Sequence, residues 1–244
     1  MSATHTTARR SWLHRAILFA ATLLLTRVWA LTIWEYRNYI PPNFDSAFLC
    51  GMRDTFFGWY SIAFYAHIVA GPIVLLLAAF LMFTGGRGPL ASMHRRVAKL
   101  HIAIVVTVVA PTGFLMAIRA HAGPIAGVGF ASLAIATAMT AVRAMQTAKQ
   151  RSWVSHRKWA TRCFLLLLSP LLLRLVSGLA SVLDAESETF YRINAWVSWL
   201  APWLIYELVL YIRSPSLRPL PKGSRHEQVS NSQTSVVPAR LHPG

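Results

Sequence analysis

Long apolar runs separated by short polar segments make up most of this chain. The hydrocarbon core of a bilayer is about 30 Å thick, so a helix needs about 20 apolar residues to cross it. Residues 60–83 form such a run without a formal charge, interrupted only by His67 and by Gly71-Pro72. The same pattern predicts six transmembrane helices, at about 16–34, 60–83, 100–118, 125–145, 159–183 and 193–212. The predicted fold class is therefore all-α, an integral membrane bundle spanning residues 16–212.

The segments outside these helices are polar or basic. Residues 1–15 form a basic N-terminal tail, and residues 35–57 form a loop that is too mixed to span the membrane. A basic start before an apolar run also resembles an export signal, but no small-x-small cleavage site follows, so we expect an uncleaved first helix. Residues 213–244 are rich in Pro, Ser, Gln and basic residues. Because they lack apolar periodicity, they are predicted to form a disordered tail.

The composition supports a membrane protein and excludes a nucleic-acid-binding one. Of the 244 residues, 55% are hydrophobic and 13% are charged, and the mean hydropathy is +0.46. The net charge of +16 is typical of proteins that bind nucleic acid. However, such proteins gather Lys and Arg on one surface, whereas here they lie in short clusters between apolar runs. The lipid bilayer is the predicted partner.

The clusters of Lys and Arg also predict the orientation of the helices. Seventeen fall in the N-terminal tail, the second and fourth connections and the C-terminal tail, counting Arg162 in the first turn of the fifth helix with the fourth connection, and four fall in the segments on the other side. Cytoplasmic segments carry the excess of Lys and Arg in membrane proteins. Both termini are therefore predicted to be cytoplasmic.

Two ionisable residues are predicted to lie inside the membrane at the same depth. His67 is seven residues past Tyr60, about 10 Å from the outer surface, and Arg174 is fifteen residues past Trp159, about 22 Å from the inner one. A shared polar pocket in the outer half follows from these depths. Arg174 has no acid at its level, so it either holds the carboxylate or phosphate of a ligand or extends to the interface and caps carbonyls near Pro170. His67 either binds a ligand or forms a hydrogen bond to a neighbouring helix.

Three further histidines, His94, His101 and His156, are predicted at the cytoplasmic side. Imidazoles at one level are suited to bind a haem iron or a transition metal. Histidines in basic interfacial segments also face headgroup phosphates, so this alternative stays open. His67 and His94 differ in depth by more than about 20 Å by the helical rise, so they cannot bind one haem together. No CxxCH, P-loop, GxSxG or HExxH motif occurs, and no reaction is predicted.

Several short motifs between His67 and Arg174 recur in one family of bacterial membrane proteins. The motifs are His67 with Gly71, the run Met93-His94-Arg95-Arg96, Gly129-Phe130, the His-x-x-Trp-x-x-Arg element from His156 to Arg162, and Leu173-Arg174. With these motifs the chain resembles the family called domain of unknown function 2306. The resemblance implies a multi-pass protein of the bacterial inner membrane, and it favours His67, His94 and His156 as the histidines to test. The chain departs from the family at Ala98, usually glycine, and at His101, usually tyrosine.

The leading hypothesis from the sequence is a protein that binds haem b or another redox ligand. His67, His94 and His156 are the candidate haem or metal ligands, and Arg174 and Arg162 are the candidate partners of the cofactor. The alternative is a carrier or binding protein for an anionic lipid or small anion, in which Arg174 and Arg119 attract the ligand. A third hypothesis is a structural subunit whose polar groups only fix helix packing.

Overall fold

The computed structural model describes residues 3–46, 48–86 and 88–213, and within these ranges the chain is helical without strands. The α-helices are α1 (Ala3–Trp34), α2 (Arg53–Phe56), α3 (Trp59–Thr84), α4 (Ala91–Ile104), α5 (Ala110–Ala117), α6 (Pro124–Lys149), α7 (Trp153–Val182) and α8 (Glu188–Ile212). Short 3₁₀ turns follow α1 and precede α4. The predicted disordered tail lies outside the described residues, apart from Arg213.

Six segments of the described chain are long and apolar enough to cross a membrane, which confirms the predicted all-α class and the six helices. They are Arg15–Asn38, Trp59–Thr84, Gly88–Ala117, Pro124–Lys149, Trp153–Val182 and Glu188–Ile212. The orientation of the termini remains a prediction. The chain divides into two compact units, Met1–Ile205 and Tyr206–Gly244. The features described below lie in the first unit, and the described part of the second is the end of α8 and Arg213.

The third span is one continuous segment with a π-helical turn, Val105–Val109, between α4 and α5. Pro111 follows this turn, and its ring nitrogen has no hydrogen to donate to the carbonyl four residues earlier. A helix accommodates such a loss by widening locally, and π-turns of this kind occur often at functional sites. The wide turn makes backbone groups of the third span available to side chains near the centre of the bundle.

Small residues allow the central helices to pack closely. A buried cluster joins three alanine and valine positions of α3 to the π-turn, α6 and α7: Ala70, Val74, Ala78, Val105, Val109, Ala141, Cys163 and Leu167. Small side chains at helix contacts bring backbones together and increase van der Waals contact where no hydrophobic driving force operates. By contrast, α1 exposes large apolar side chains such as Phe19 and Ile17, as a helix facing lipid does.

The loop between α1 and α3 folds into an aromatic cap, which we define as residues 35–46 and 48–58. Its core is Tyr39, Leu49 and Phe56, which pack against Tyr60 and Phe64 of α3. The cap is also attached to α3 by a hydrogen bond that Pro72 explains. Pro72 leaves the carbonyl of Ile68 without its helical donor. The hydroxyl of Tyr36 donates to that carbonyl at 2.5 Å.

Candidate functional site

A central cavity of about 260 Å³ lies under the aromatic cap and is lined by residues from all six spans. Along α3 its walls extend from Tyr60 to Leu75. These positions are fifteen residues apart, which corresponds to about 22 Å along a helix. The cavity is therefore elongated, and it runs from the cap towards the middle of the bundle.

The charged groups of the cavity wall are arginines. Among the described residues that line it, Arg119 and Arg174 carry charge, and none is Asp or Glu. Arg119 is occupied at the cap, where its guanidinium donates to the carbonyl of Thr55 and lies 4.7 Å from the centre of the Trp59 ring. Arg174 is thus the cation whose charge is directed into the cavity without a carboxylate there.

Arg174 is half-buried on α7, and its charge acts on a ring of polar side chains. These side chains are Tyr36, Tyr39, Tyr191 and His67. Burial raises the pKa of the Tyr39 hydroxyl, while the nearby Arg174 guanidinium opposes this shift by its charge and by a hydrogen bond. Tyrosine hydroxyls that stay protonated cannot neutralise Arg174. The positive charge at this level of the bundle is therefore uncompensated within the cavity wall.

His67 lies at the cavity wall and is held in one tautomer by its neighbours. Its Nδ1 atom is 3.1 Å from the carbonyl oxygen of Val109 and 3.1 Å from Oγ1 of Thr112. A carbonyl only accepts, and the Thr112 hydroxyl gives its proton to the carbonyl of Val108 at 2.6 Å. Nδ1 must therefore carry the hydrogen, so Nε2 of the neutral ring has a free lone pair.

Gly113 allows this position of the imidazole. A Cβ atom at residue 113 would lie 3.0 Å from Cε1 of His67, closer than ordinary contacts allow. Gly71, one turn from His67 on α3, also lines the cavity, but a Cβ atom there would meet nothing within 4 Å. Gly113 thus accommodates His67, and Gly71 borders open space.

Two buried polar atoms of cavity-lining residues have no hydrogen-bond partner among the described residues. They are Nε1 of Trp29, on α1, and Oγ of Ser169, on α7. Ser169 is 1% exposed. An unsatisfied buried polar group costs about 1 to 3 kcal/mol. The Trp29 Nε1–H group can only donate a hydrogen bond, whereas the Ser169 hydroxyl can donate or accept one.

His121 also lines the cavity. Its ring packs edge-on against Tyr191 at a centroid distance of 5.6 Å. His121 is exposed and lies beyond the end of α5. The structure thus places it at the mouth of the cavity under the cap.

The other predicted histidines lie at the opposite end of the bundle, which we call the basic end. It comprises the end of α3, the start of α4, the end of α6 and the start of α7. His94 and His156 are near neighbours there. Nδ1 of His94 is 3.0 Å from Oγ1 of Thr84, and Nδ1 of His156 is 2.8 Å from the carbonyl oxygen of Ala144. Along α3, Thr84 is seventeen residues from His67, about 25 Å away.

The remaining candidates of the sequence lie apart from the cavity. His101 is buried beside Val74 of α3, with its Nδ1 atom unpaired among the described residues. The guanidinium of Arg162 lies 4.5 Å from the centre of the Trp159 ring. Neither residue lines the cavity. Of the candidate haem or metal ligands and cofactor partners, His67 and Arg174 line the cavity together, and Arg119, a candidate of the anion hypothesis, lines it as well.

Possible metal or cofactor ligands are few in this part of the chain. The described residues contain no group of three or more His, Cys, Asp or Glu side chains that could hold a metal ion. Within the cavity, His67 would be the residue able to hold a metal or haem iron through Nε2, because its Nδ1–H is fixed by a backbone carbonyl. The charged side chains of the described wall are Arg119 and Arg174, and its hydroxyl groups can donate or accept hydrogen bonds.

The sequence interpretation missed Trp29, Ser169 and the tyrosines around Arg174. The aromatic density of residues 35–57 was a signal that the loop packs as a cap, but nothing in the sequence showed which aromatic side chain would meet Arg174. Trp29 lies five residues inside the end of α1, deeper than an interfacial tryptophan. This depth could have indicated that Trp29 lies within the bundle and not at the interface.

Comparison with known proteins gives one match. A family model described as "Predicted membrane protein (DUF2306)" matches residues 64–210, which includes the helices that bear His67, Arg174 and the histidines of the basic end. No curated protein and no solved structure matches the chain.

Proposed function

The chain belongs to the DUF2306 family of predicted membrane proteins, and from this premise we propose that its central cavity binds a small amphiphilic anion. The anionic group contacts Arg174, and the apolar part extends along α3 towards Leu75. Binding, either alone or as a step of transport across the bilayer, is the activity proposed.

The single observation that carries this proposal is the uncompensated charge of Arg174. A charged side chain at membrane depth is costly and is normally paired or exposed to a polar cavity. The cavity wall offers Arg174 no carboxylate among the described residues, while it offers Trp29 and Ser169 as further donors. An anion supplies the missing counter-charge and accepts hydrogen bonds from these groups.

The shape of the cavity limits the size of the ligand. Its inner end is formed by apolar side chains, including Leu75, Leu166 and Leu167. The volume of about 260 Å³ is slightly below that of typical ligand pockets, which measure about 300 to 1,000 Å³. A short-chain or medium-chain organic acid fits these limits, whereas a complete phospholipid does not.

The experiment that tests the proposal is a titration of the purified protein in lipid nanodiscs. Octanoate is compared with octanol, which has the same chain without the charge, and empty nanodiscs provide the correction for partition into lipid. We expect saturable binding of octanoate and none of octanol. Equal binding of the two, or no difference from empty nanodiscs, would refute an anion site.

Haem b is the second candidate, because His67 has the hydrogen-bonding arrangement of an axial ligand. A neutral imidazole whose Nδ1–H is bonded to a backbone carbonyl can give its Nε2 lone pair to iron, and Arg174 is suited to a propionate. The cavity volume of about 260 Å³ argues against haem, because the macrocycle is larger than a drug-sized ligand. Absorption spectroscopy decides: a Soret band that His67→Ala abolishes would favour haem, and its absence after haem-replete expression would exclude it.

We further propose that this is a bacterial inner-membrane protein with both termini in the cytoplasm and the aromatic cap outside. The excess of Lys and Arg at the basic end supports this orientation. Cys50 is exposed in the cap and Cys163 is buried in α7. A membrane-impermeant maleimide should therefore label intact cells at Cys50 only, and Cys50→Ser should abolish labelling. Labelling that requires permeabilised cells would reverse the orientation.

A further inference from the structure

The cavity contains an acceptor as well as donors, and this restricts the chemistry of the ligand. With its Nδ1–H directed to Val109 and Thr112, the neutral His67 ring presents Nε2 as a lone pair. No donor from the described residues reaches this atom in the hydrogen-bond pattern. A simple carboxylate cannot satisfy it, because an ionised carboxylate only accepts hydrogen bonds.

The acceptor lies at the same level of the membrane as the cation. His67 is eight residues from the start of α3 at Trp59, which corresponds to about 12 Å. Arg174 is eight residues from the end of α7 at Val182, again about 12 Å. Both helix ends lie at the cap side of the bundle. The charge of Arg174 also acts on the His67 ring. A ligand whose anionic group binds Arg174 would therefore reach Nε2 with a donor near that group and not at the far end of its apolar chain.

Among the described residues, no nearby donor is bonded to Nε2 of His67. The Tyr36 hydroxyl is committed to the carbonyl of Ile68. The Tyr39 hydroxyl accepts a hydrogen bond from the Arg174 guanidinium, and the unpaired donors of Trp29 and Ser169 form no hydrogen bond with the imidazole. Gly113 fixes the imidazole against α5, so the ring cannot turn away without losing its two Nδ1 contacts.

We propose that the ligand is a hydroxylated organic acid, whose carboxylate binds Arg174 and whose adjacent hydroxyl donates a hydrogen bond to Nε2 of His67. This inference rests on the proposed function and narrows it to one class of anion. His67 is then the residue that distinguishes a hydroxy acid from its unsubstituted analogue.

Three ligands of equal chain length test the proposal on the unmodified protein in nanodiscs: octanoate, 3-hydroxyoctanoate and 8-hydroxyoctanoate. One additional neutral hydrogen bond increases affinity by about twofold to tenfold. We expect 3-hydroxyoctanoate to bind more tightly than octanoate by this factor. We expect 8-hydroxyoctanoate to bind less tightly than octanoate, because its hydroxyl would enter the apolar end of the cavity.

Two variants assign the preference to His67. His67→Leu removes the acceptor, so the ratio of the affinities for 3-hydroxyoctanoate and octanoate should fall to about one, whatever the absolute affinity of the variant for octanoate. His67→Gln retains a side-chain oxygen that accepts, so part of the advantage should return. A preference that persists in His67→Leu would overturn the assignment.

The outcomes separate this inference from the proposed function. Equal affinity of the unmodified protein for octanoate and 3-hydroxyoctanoate overturns the inference and leaves the anion site intact. Failure of both acids to bind overturns the anion site and the inference together. Because these comparisons use the unmodified protein, they stand even if a variant fails to fold.

Discussion

The two ends of the bundle use the same histidine geometry in opposite surroundings. At the cap end, His67 donates its Nδ1–H to a backbone carbonyl and lines an elongated cavity with Arg174. At the basic end, His156 also donates its Nδ1–H to a backbone carbonyl, at 2.8 Å. His94 donates to Thr84, whose own hydroxyl proton goes to the carbonyl of Phe80.

The difference between the ends lies in what surrounds the rings. The cations of the basic end have access to solvent and headgroups: Arg95, Arg96, Lys99, Lys149, Arg151, Arg157 and Lys158. Charges with such access are hydrated and need no partner from the protein. Arg174 is half-buried among apolar side chains and tyrosines, and the described cavity wall contains no carboxylate to neutralise it. The Nδ1 bonding of the histidines alone therefore does not distinguish the two ends, whereas the half-buried cation does.

The largest effect is expected from neutralising the half-buried cation. Arg174→Gln should weaken octanoate binding by about tenfold to a hundredfold, the value of a charge-assisted hydrogen bond. Arg143→Gln is the matched control, because Arg143 lies on α6 but is exposed and does not line the cavity. Titration of both variants in nanodiscs measures the effect. If the two variants bound octanoate with equal affinity, Arg174 would have no special role, and the distinction between the two ends would be contradicted.

A smaller effect is expected from adding a methyl group beside His67. Gly113→Ala should lower the free energy of unfolding by about 1 to 3 kcal/mol, since the new Cβ atom would overpack the imidazole. Gly71→Ala, whose Cβ atom meets nothing within 4 Å, should not lower it. Thermal unfolding of the two variants in one detergent provides the comparison. Equal stabilities would contradict the tight contact between α5 and His67.

Filling the cavity should weaken binding without loss of stability. Gly71→Leu places a side chain into the open space, so octanoate should bind about tenfold more weakly, in line with the cost of overpacking. Folding is checked by thermal unfolding. If octanoate affinity were unchanged, the ligand would have to bind elsewhere.

The smallest effect is expected at the basic end. Thr84→Val removes the acceptor of the His94 Nδ1–H and should lower the free energy of unfolding by about 1 kcal/mol. Octanoate affinity should stay as in the unmodified protein, because this contact is about 25 Å from His67 along α3. A change in affinity would show that the two ends are coupled.

Much of the architecture could be predicted because membrane energetics act on composition. Six apolar segments were sufficient for the all-α class, and helical rise placed His67 and Arg174 at one level. The π-turn before Pro111 and the bond between Tyr36 and Ile68 were not predicted. In both cases a proline leaves a backbone carbonyl without its helical hydrogen-bond donor. Tertiary packing decides which other group can donate to that carbonyl.

The tautomer of His67 could not be predicted from the sequence either. It depends on Val109 and Thr112, which lie more than forty residues away in the chain and face the imidazole only through the packing of α3 against the third span. Gly113 has no distinctive sequence context, and its importance follows from a single close approach. The sequence thus predicts that a polar pocket exists, and packing determines its chemistry.

The most direct test of the central claim is photo-crosslinking with an octanoate that bears a diazirine on its terminal carbon. If the anionic group binds Arg174, the terminal carbon lies near the inner end of the cavity. Mass spectrometry should then find label at Leu75 and at Leu166 or Leu167, removed by excess octanoate and absent in Arg174→Gln. Label confined to lipid-facing side chains such as Phe19, with no effect of Arg174→Gln, would contradict the claim.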